Sequence, residues 1–135
     1  MATPYADVYN IFLAKITDYG LPQLTTEIQD SILKTQLYSA CVKFADICKE
    51  NLYARNEELN EFTDTLSEDS KEILSELMVV EWLKPQLYKT EFFENALSTK
   101  DFSVFSPANL LKEIRSTYLM AKDNARYMMI NYSYR

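Results

Sequence analysis

The sequence predicts an all-α protein, a helical bundle of about four principal helices with an extended C-terminal arm. Three observations carry this expectation. Apolar residues recur at three- and four-residue steps through four separate stretches, as one buried helix face requires. Each stretch opens on a capping signal: Thr3-Pro4, Thr26 with Gln29, Ser67, and Ser106-Pro107. The last nine residues then change rhythm. Met128, Ile130, Tyr132 and Tyr134 fall on one side of an extended strand, and Met129, Asn131 and Ser133 on the other.

The first helix takes Tyr5, Val8, Ile11, Phe12, Ile16 and Tyr19 as its stripe, with Gly20 at the left-handed C′ position and Pro22 barring continuation. The second runs from Thr26, with Ile28 and Ile32 leading into a stripe of Leu33, Leu37, Cys41, Phe44, Cys48 and Leu52. Its length leaves room for a bend near Lys34-Thr35-Gln36. Residues 54–66 are polar and acidic and read as a loop or short helix. Ser67 caps a third helix whose first turn holds Glu68 and Asp69, where the helix dipole favours negative charge. Trp82 is expected in core or inter-helix packing, and Pro85 should kink or end the helix, with helical turns resuming beyond it. Leu97–Phe105 reads as an ordered loop with Phe102 and Phe105 as anchors. The last helix carries Leu110, Leu111, Ile114, Tyr118 and Ala121 towards Arg126. The expected spans are roughly 4–19, 26–53, 68–88 and 107–126. Residues 1–126 form the helical domain in this reading, and residues 127–135 the arm. Ile11, Phe12, Leu37, Phe44, Leu74, Met78, Leu111 and Ile114 are the expected core.

Composition narrows the functions. The chain of 135 residues is 47% hydrophobic and 25% charged, long enough for one core without staples. The first residues carry no basic n-region and no apolar run approaches a membrane span, so folding in a cytoplasm is expected. There is no histidine, the usual general base and metal ligand, and a single glycine cannot build a phosphate loop or nucleophile elbow. Scattered carboxylates leave an acid–base pair or a hard-cation site open, but no calcium-loop spacing marks one. Cys41 and Cys48 are too far apart along a helix for a disulfide, lack zinc or redox spacing, and read as small core residues. No catalytic, cofactor-binding or metal-binding residue is therefore assigned, and an enzyme is not expected.

The net charge of −6 argues against broad gripping of nucleic-acid phosphates. Acids concentrate at Glu57, Glu58, Glu61, Asp64, Glu68, Asp69, Glu72 and Glu76, with only Lys71 among them. The end of the chain is basic, with Lys112, Arg115, Lys122, Arg126 and Arg135. Two solvated faces account for this, as does one subunit's acidic face meeting a neighbour's basic end. The arm has two readings as well. A lone strand needs partners for its backbone N–H and C=O groups, which another chain or its own domain could supply.

Four segments together resemble a known family. They are Tyr5-Ala-Asp-Val-Tyr-Asn-Ile-Phe-Leu-Ala-Lys-Ile-Thr-Asp-Tyr19, Leu77-Met-Val-Val-Glu-Trp-Leu-Lys-Pro-Gln-Leu-Tyr88, Leu97-Ser-Thr-Lys-Asp-Phe-Ser-Val-Phe-Ser-Pro-Ala-Asn-Leu-Leu-Lys-Glu-Ile-Arg115 and Met129-Ile-Asn-Tyr-Ser-Tyr134. In these the chain is similar to the small helical head–tail connector (adaptor) proteins of tailed bacteriophages of Gram-positive hosts. The acidic stretch from Glu57 to Asp69 matches least. The resemblance implies a structural virion protein in the neck, assembled in the host cytoplasm. It implies a homo-oligomeric ring, usually dodecameric, that sits below the portal protein, touches an adjacent neck or tail-completion protein, and extends the DNA channel. DNA would pass without sequence-specific binding, and neither cofactor nor membrane is implied. An acidic wall agrees with such a conduit, because a basic one would hold the duplex.

The expected interface residues are Met128, Ile130, Tyr132 and Tyr134, with Arg126 and Arg135 at its ends. The main competing reading is an intracellular helical regulatory or adaptor protein that binds a protein partner through the same helices. A helix-turn-helix DNA binder would need a basic recognition helix. The only candidate, Lys112–Arg126, is diluted by Glu113 and Asp123.

Overall fold

In the computed structural model the described backbone comprises residues 2–18, 30–96 and 107–134, and the described side chains residues 2–18, 31–88 and 112–134. The protein is all-α. Four helices dominate the described residues: α1 (Tyr5–Asp18), α2 (Asp30–Phe44), α3 (Glu68–Ala96) and α4 (Pro107–Ser133). Three two-residue strands accompany them: β1 (Thr3–Pro4), β2 (Arg55–Asn56) and β3 (Glu61–Phe62), ordered β1-β3-β2 with antiparallel pairing throughout.

Helix α3 is the hub. Each of the other helices packs on it more extensively than on any other helix. That explains its sequence: Ile73 to Val80 is buried without a break, because neighbours cover the helix on every side. Phe12 of α1 meets Trp82 edge-on with ring centroids 6.0 Å apart, so Trp82 joins helices as its apolar setting suggested. Of the expected core, Phe12, Leu37, Phe44, Leu74, Met78 and Ile114 are fully buried, whereas Ile11 is half-buried. Leu111, the Thr26 cap, the Gly20-Pro22 stop and the Phe102/Phe105 loop lie outside the described residues or side chains.

The ends of the helices hold the corrections. Thr3 lies in β1 rather than acting as a helix cap. Its hydroxyl accepts the Leu66 N–H at 2.8 Å and donates to the Asp64 carbonyl at 3.1 Å, tying the N-terminus to the segment before α3. Helix α2 stops at Phe44, not near residue 53. The Ile47 and Cys48 N–H groups both close on the Phe44 carbonyl, and the chain then turns away. Leu52 is still buried, but from a loop. Residues 54–66 build the β2–β3 hairpin rather than a plain loop or short helix. Ser67 caps α3 as expected, its Oγ accepting the Ser70 N–H at 3.1 Å. Pro85 does not end α3, which runs on to Ala96.

The largest correction concerns residues 127–134, the described part of the expected arm. No extended arm forms: α4 continues to Ser133. Ile114, Ala121, Ala125 and Tyr132 are buried at helical spacing, and Met128 and Met129 pack partly against the same core. Packing of that stripe on α3 decides the local structure over the period-two pattern. No strand edge is left in this segment for a partner to pair with.

Candidate interaction surface

With the final turns helical, the expected interface residues divide between two faces. Met128 and Tyr132, four apart, point inward; Ile130 and Tyr134, also four apart, point out. Arg126 is exposed, and Arg135 lies outside the described residues. Ile130 is 46% and Tyr134 85% exposed. The helix brings them into line with Met120 and with Tyr127, which is 67% exposed, at spacings of seven, three and four residues. Leu119 stands beside this stripe. The alternating pattern over residues 127–135 hides Tyr127, whereas Leu119 and Met120 lie within the expected helix but off its core stripe. A helical register continued past Arg126 would have found Tyr127.

Charge flanks the stripe on one side. Arg115, Lys122 and Arg126 follow at spacings of seven and four, so they run along one edge of the outer face, and all three are exposed. The Lys122 ammonium lies 5.9 Å from the Tyr118 ring centroid. The exposed Asp123 stands in the same line, three residues after Met120 and four before Tyr127, so the apolar stretch of this face runs from Tyr127 to Tyr134, with Lys122 and Arg126 along its edge.

The end of α4 is held firmly. The Tyr132 ring meets Phe44 at 5.0 Å and lies 5.5 Å below the Lys49 ammonium. Its hydroxyl accepts the Lys49 N–H at 2.8 Å and donates to Glu50 at 3.4 Å. Glu50 accepts in turn from the Ser67 N–H at 3.1 Å and the Ser70 hydroxyl at 2.7 Å. One carboxylate thus joins the loop after α2, the start of α3 and the end of α4. Burial raises the Tyr132 pKa, so this hydroxyl keeps its proton at physiological pH.

The acidic stretch is partly neutralised from a distant element. Lys15 of α1 bonds Glu72 at 3.0 Å and the buried Glu76 at 3.1 Å, while Lys71 reaches Asp7 and Glu68. Burial works against the Lys15 charge, but its two carboxylate partners outweigh that and raise its pKa. Further along α3, Glu81 pairs with both Lys43 and Lys84. Burial opposes ionisation of Glu81, yet the two ammonium groups win and lower its pKa. Glu57, Glu58 and Asp64 remain exposed or half-exposed around the hairpin, with Leu59 at its tip.

Two other features lie away from this face, a groove and a buried thiol. A groove of about 710 Å³ between α1, α2 and the hairpin is lined by Tyr5, Tyr9, Tyr38 and Leu59, with Lys34 its one charged residue. It has the makings of a contact surface and no convergent set of reactive groups. Cys41 is buried and burial pushes its thiol up to about 12, which suits a core residue rather than a nucleophile. Among the described residues no group of three or more Cys, Asp or Glu is placed to hold a metal ion, and no helix is long and apolar enough to cross a membrane. No protein-family model, curated protein or solved structure matches this chain.

Proposed function

We propose that this protein is a structural assembly subunit, a head–tail connector of a tailed bacteriophage, which joins its own copies into a ring below the portal protein and extends the DNA channel. The outer face of α4 carries the reading. Tyr127, Ile130 and Tyr134 offer large apolar area with little rotamer entropy to lose, the character of interface anchors. The phage assignment rests on the four-segment resemblance, and the helical fold agrees with it. In this reading α4 engages its partner with a helix face rather than a paired strand, so the recognition mode is helix packing. Assembly places the protein in the virion neck, against the portal on one side and a tail-completion protein on the other. DNA passes through without being read.

The test is an electron-microscopic reconstruction of particles carrying a tagged copy of the chain. Density for the tag in a ring between portal and tail supports the proposal. A coding position far from portal and tail genes, with the protein absent from particles, would instead favour a cytoplasmic regulator binding through the same face.

A further inference from the structure

The hairpin that replaces the expected loop has a purpose-built tip. Asn56 Oδ1 accepts the N–H groups of Glu58 and Leu59 at 3.1 and 3.2 Å, winding residues 57–60 into a tight turn. Asn60 closes the turn with a φ of 53°, a left-handed conformation that asparagine tolerates better than most residues. Its carbonyl accepts the Tyr5 N–H at 2.9 Å, fastening the tip to the start of α1. Behind it, the Arg55 guanidinium stacks on Tyr38 at 4.1 Å, and Tyr38 donates to Glu57 at 3.3 Å. All this fixation holds Leu59 at the rim of the groove beside Tyr5, Tyr9 and Tyr38, still largely in water. Leu59 is 65% exposed, with Glu57 and Glu58 exposed beside it.

We infer that the β2–β3 tip docks on the outer face of α4 of a second copy of this chain, with Leu59 packed among Tyr127, Ile130 and Tyr134 and the glutamates facing Lys122 and Arg126. The match of charge and polarity argues for this occupant. The tip is apolar with an acidic flank, and the last turns of α4 are apolar with Lys122 and Arg126 along one edge, the exposed Asp123 lying one turn before Tyr127 and away from Ile130 and Tyr134. The two patches differ, so the contact is reciprocal when both serve the same neighbour and heterologous when they serve different ones. In the ring proposed above each copy uses its tip on one neighbour and its α4 face on the other, and the ring closes when the rotation per subunit allows it. The inference rests on the self-assembly proposed above and names the contact that produces it.

A charge exchange tests it, read by sedimentation of the purified full chain, with circular dichroism confirming the fold. Glu57→Lys with Glu58→Lys, and separately Lys122→Glu with Arg126→Glu, should each weaken self-association by about tenfold or more, because like charges then face one another. Combining all four substitutions should restore it. Leu59→Ser should weaken it without changing charge. If the wild type associates and neither pair of reversals alters that, this contact is wrong while self-assembly stands. If the reversals abolish binding to a different neck protein but spare self-association, the tip's occupant is that protein and the inference falls. A wild-type chain that is monomeric at every concentration overturns the inference and the self-assembly reading together.

Discussion

The rings of Phe44 and Tyr132 meet at 5.0 Å with their planes 69° apart, joining the last residue of α2 to the last full turn of α4 across 88 positions of sequence. This contact makes the C-terminal turns part of the folded body. Tyr132→Phe keeps the ring but leaves the Lys49 N–H without its acceptor, and should cost about 1 kcal/mol in urea unfolding. Tyr132→Ala also opens a cavity against Phe44 and should cost about 3 kcal/mol or more.

Removing residues 127–135 should destabilise the domain and lower its melting temperature markedly. Met128 and Met129 leave the core together with Tyr132, and α3 loses cover over its first turns. A truncated chain that melts like the intact one would show that these turns contribute nothing to the body.

The sequence made the helices legible and obscured their ends, for a physical reason at each place. Capping at Ser67 and the stripe of Phe12 and Ile16 are local signals and were read correctly. Cys48 and Leu52 continue the α2 stripe in register, yet they bury from a loop, because burial does not require a helix. In Tyr127–Tyr134 six of the eight positions are apolar or aromatic, so periods of two and of 3.6 both fit. Continuing the helical register of Ile114, Ala121 and Ala125 puts Tyr132 inside and Tyr134 outside, and packing on α3 is what selects that register over the period of two. The hairpin was illegible because two-residue strands hold too few residues to show alternation, and their pairing with Thr3–Pro4 is long-range. As for the candidate surface, Ile130, Tyr134 and Arg126 are legible in the sequence, Tyr127 emerges only when the helical register continues past Arg126, and Met120 lies within the expected helix but off its core stripe.

Lys15 clamps α1 to α3 through Glu72 and the buried Glu76. Lys15→Met should cost about 3 kcal/mol, since it leaves a buried carboxylate without its cation. The pKa of Lys15 is raised in the folded state, so its contribution is fully present below the ordinary lysine value of 10.5 and is lost as pH rises through the elevated one. Stability of the wild type should therefore fall in alkaline solution, and the variant should show a shallower fall.

Thiol labelling provides a check on the core. With its pKa near 12, Cys41 is protonated at pH 8 and shielded from reagent. Burial also raises the pKa of Cys48, which is only half-buried. Alkylation of the native protein should be slow at both, with Cys48 reacting first and Cys41 only as fast as the domain opens. Rapid labelling of Cys41 would mean the core around Leu37 and Phe44 is not packed as described.

The central claim is that the outer face of α4 joins subunits while its inner face builds the domain. The most direct measurement is the native mass of the assembled protein, wild type against Ile130→Glu combined with Tyr134→Ser. Both positions are exposed, so the variant's unfolding free energy should stay within about 0.5 kcal/mol of wild type. The account predicts a closed homo-oligomer for the wild type and a folded monomer for the variant. A variant that assembles to the same mass as wild type, or a wild type that stays monomeric even beside its neck partners, would contradict it.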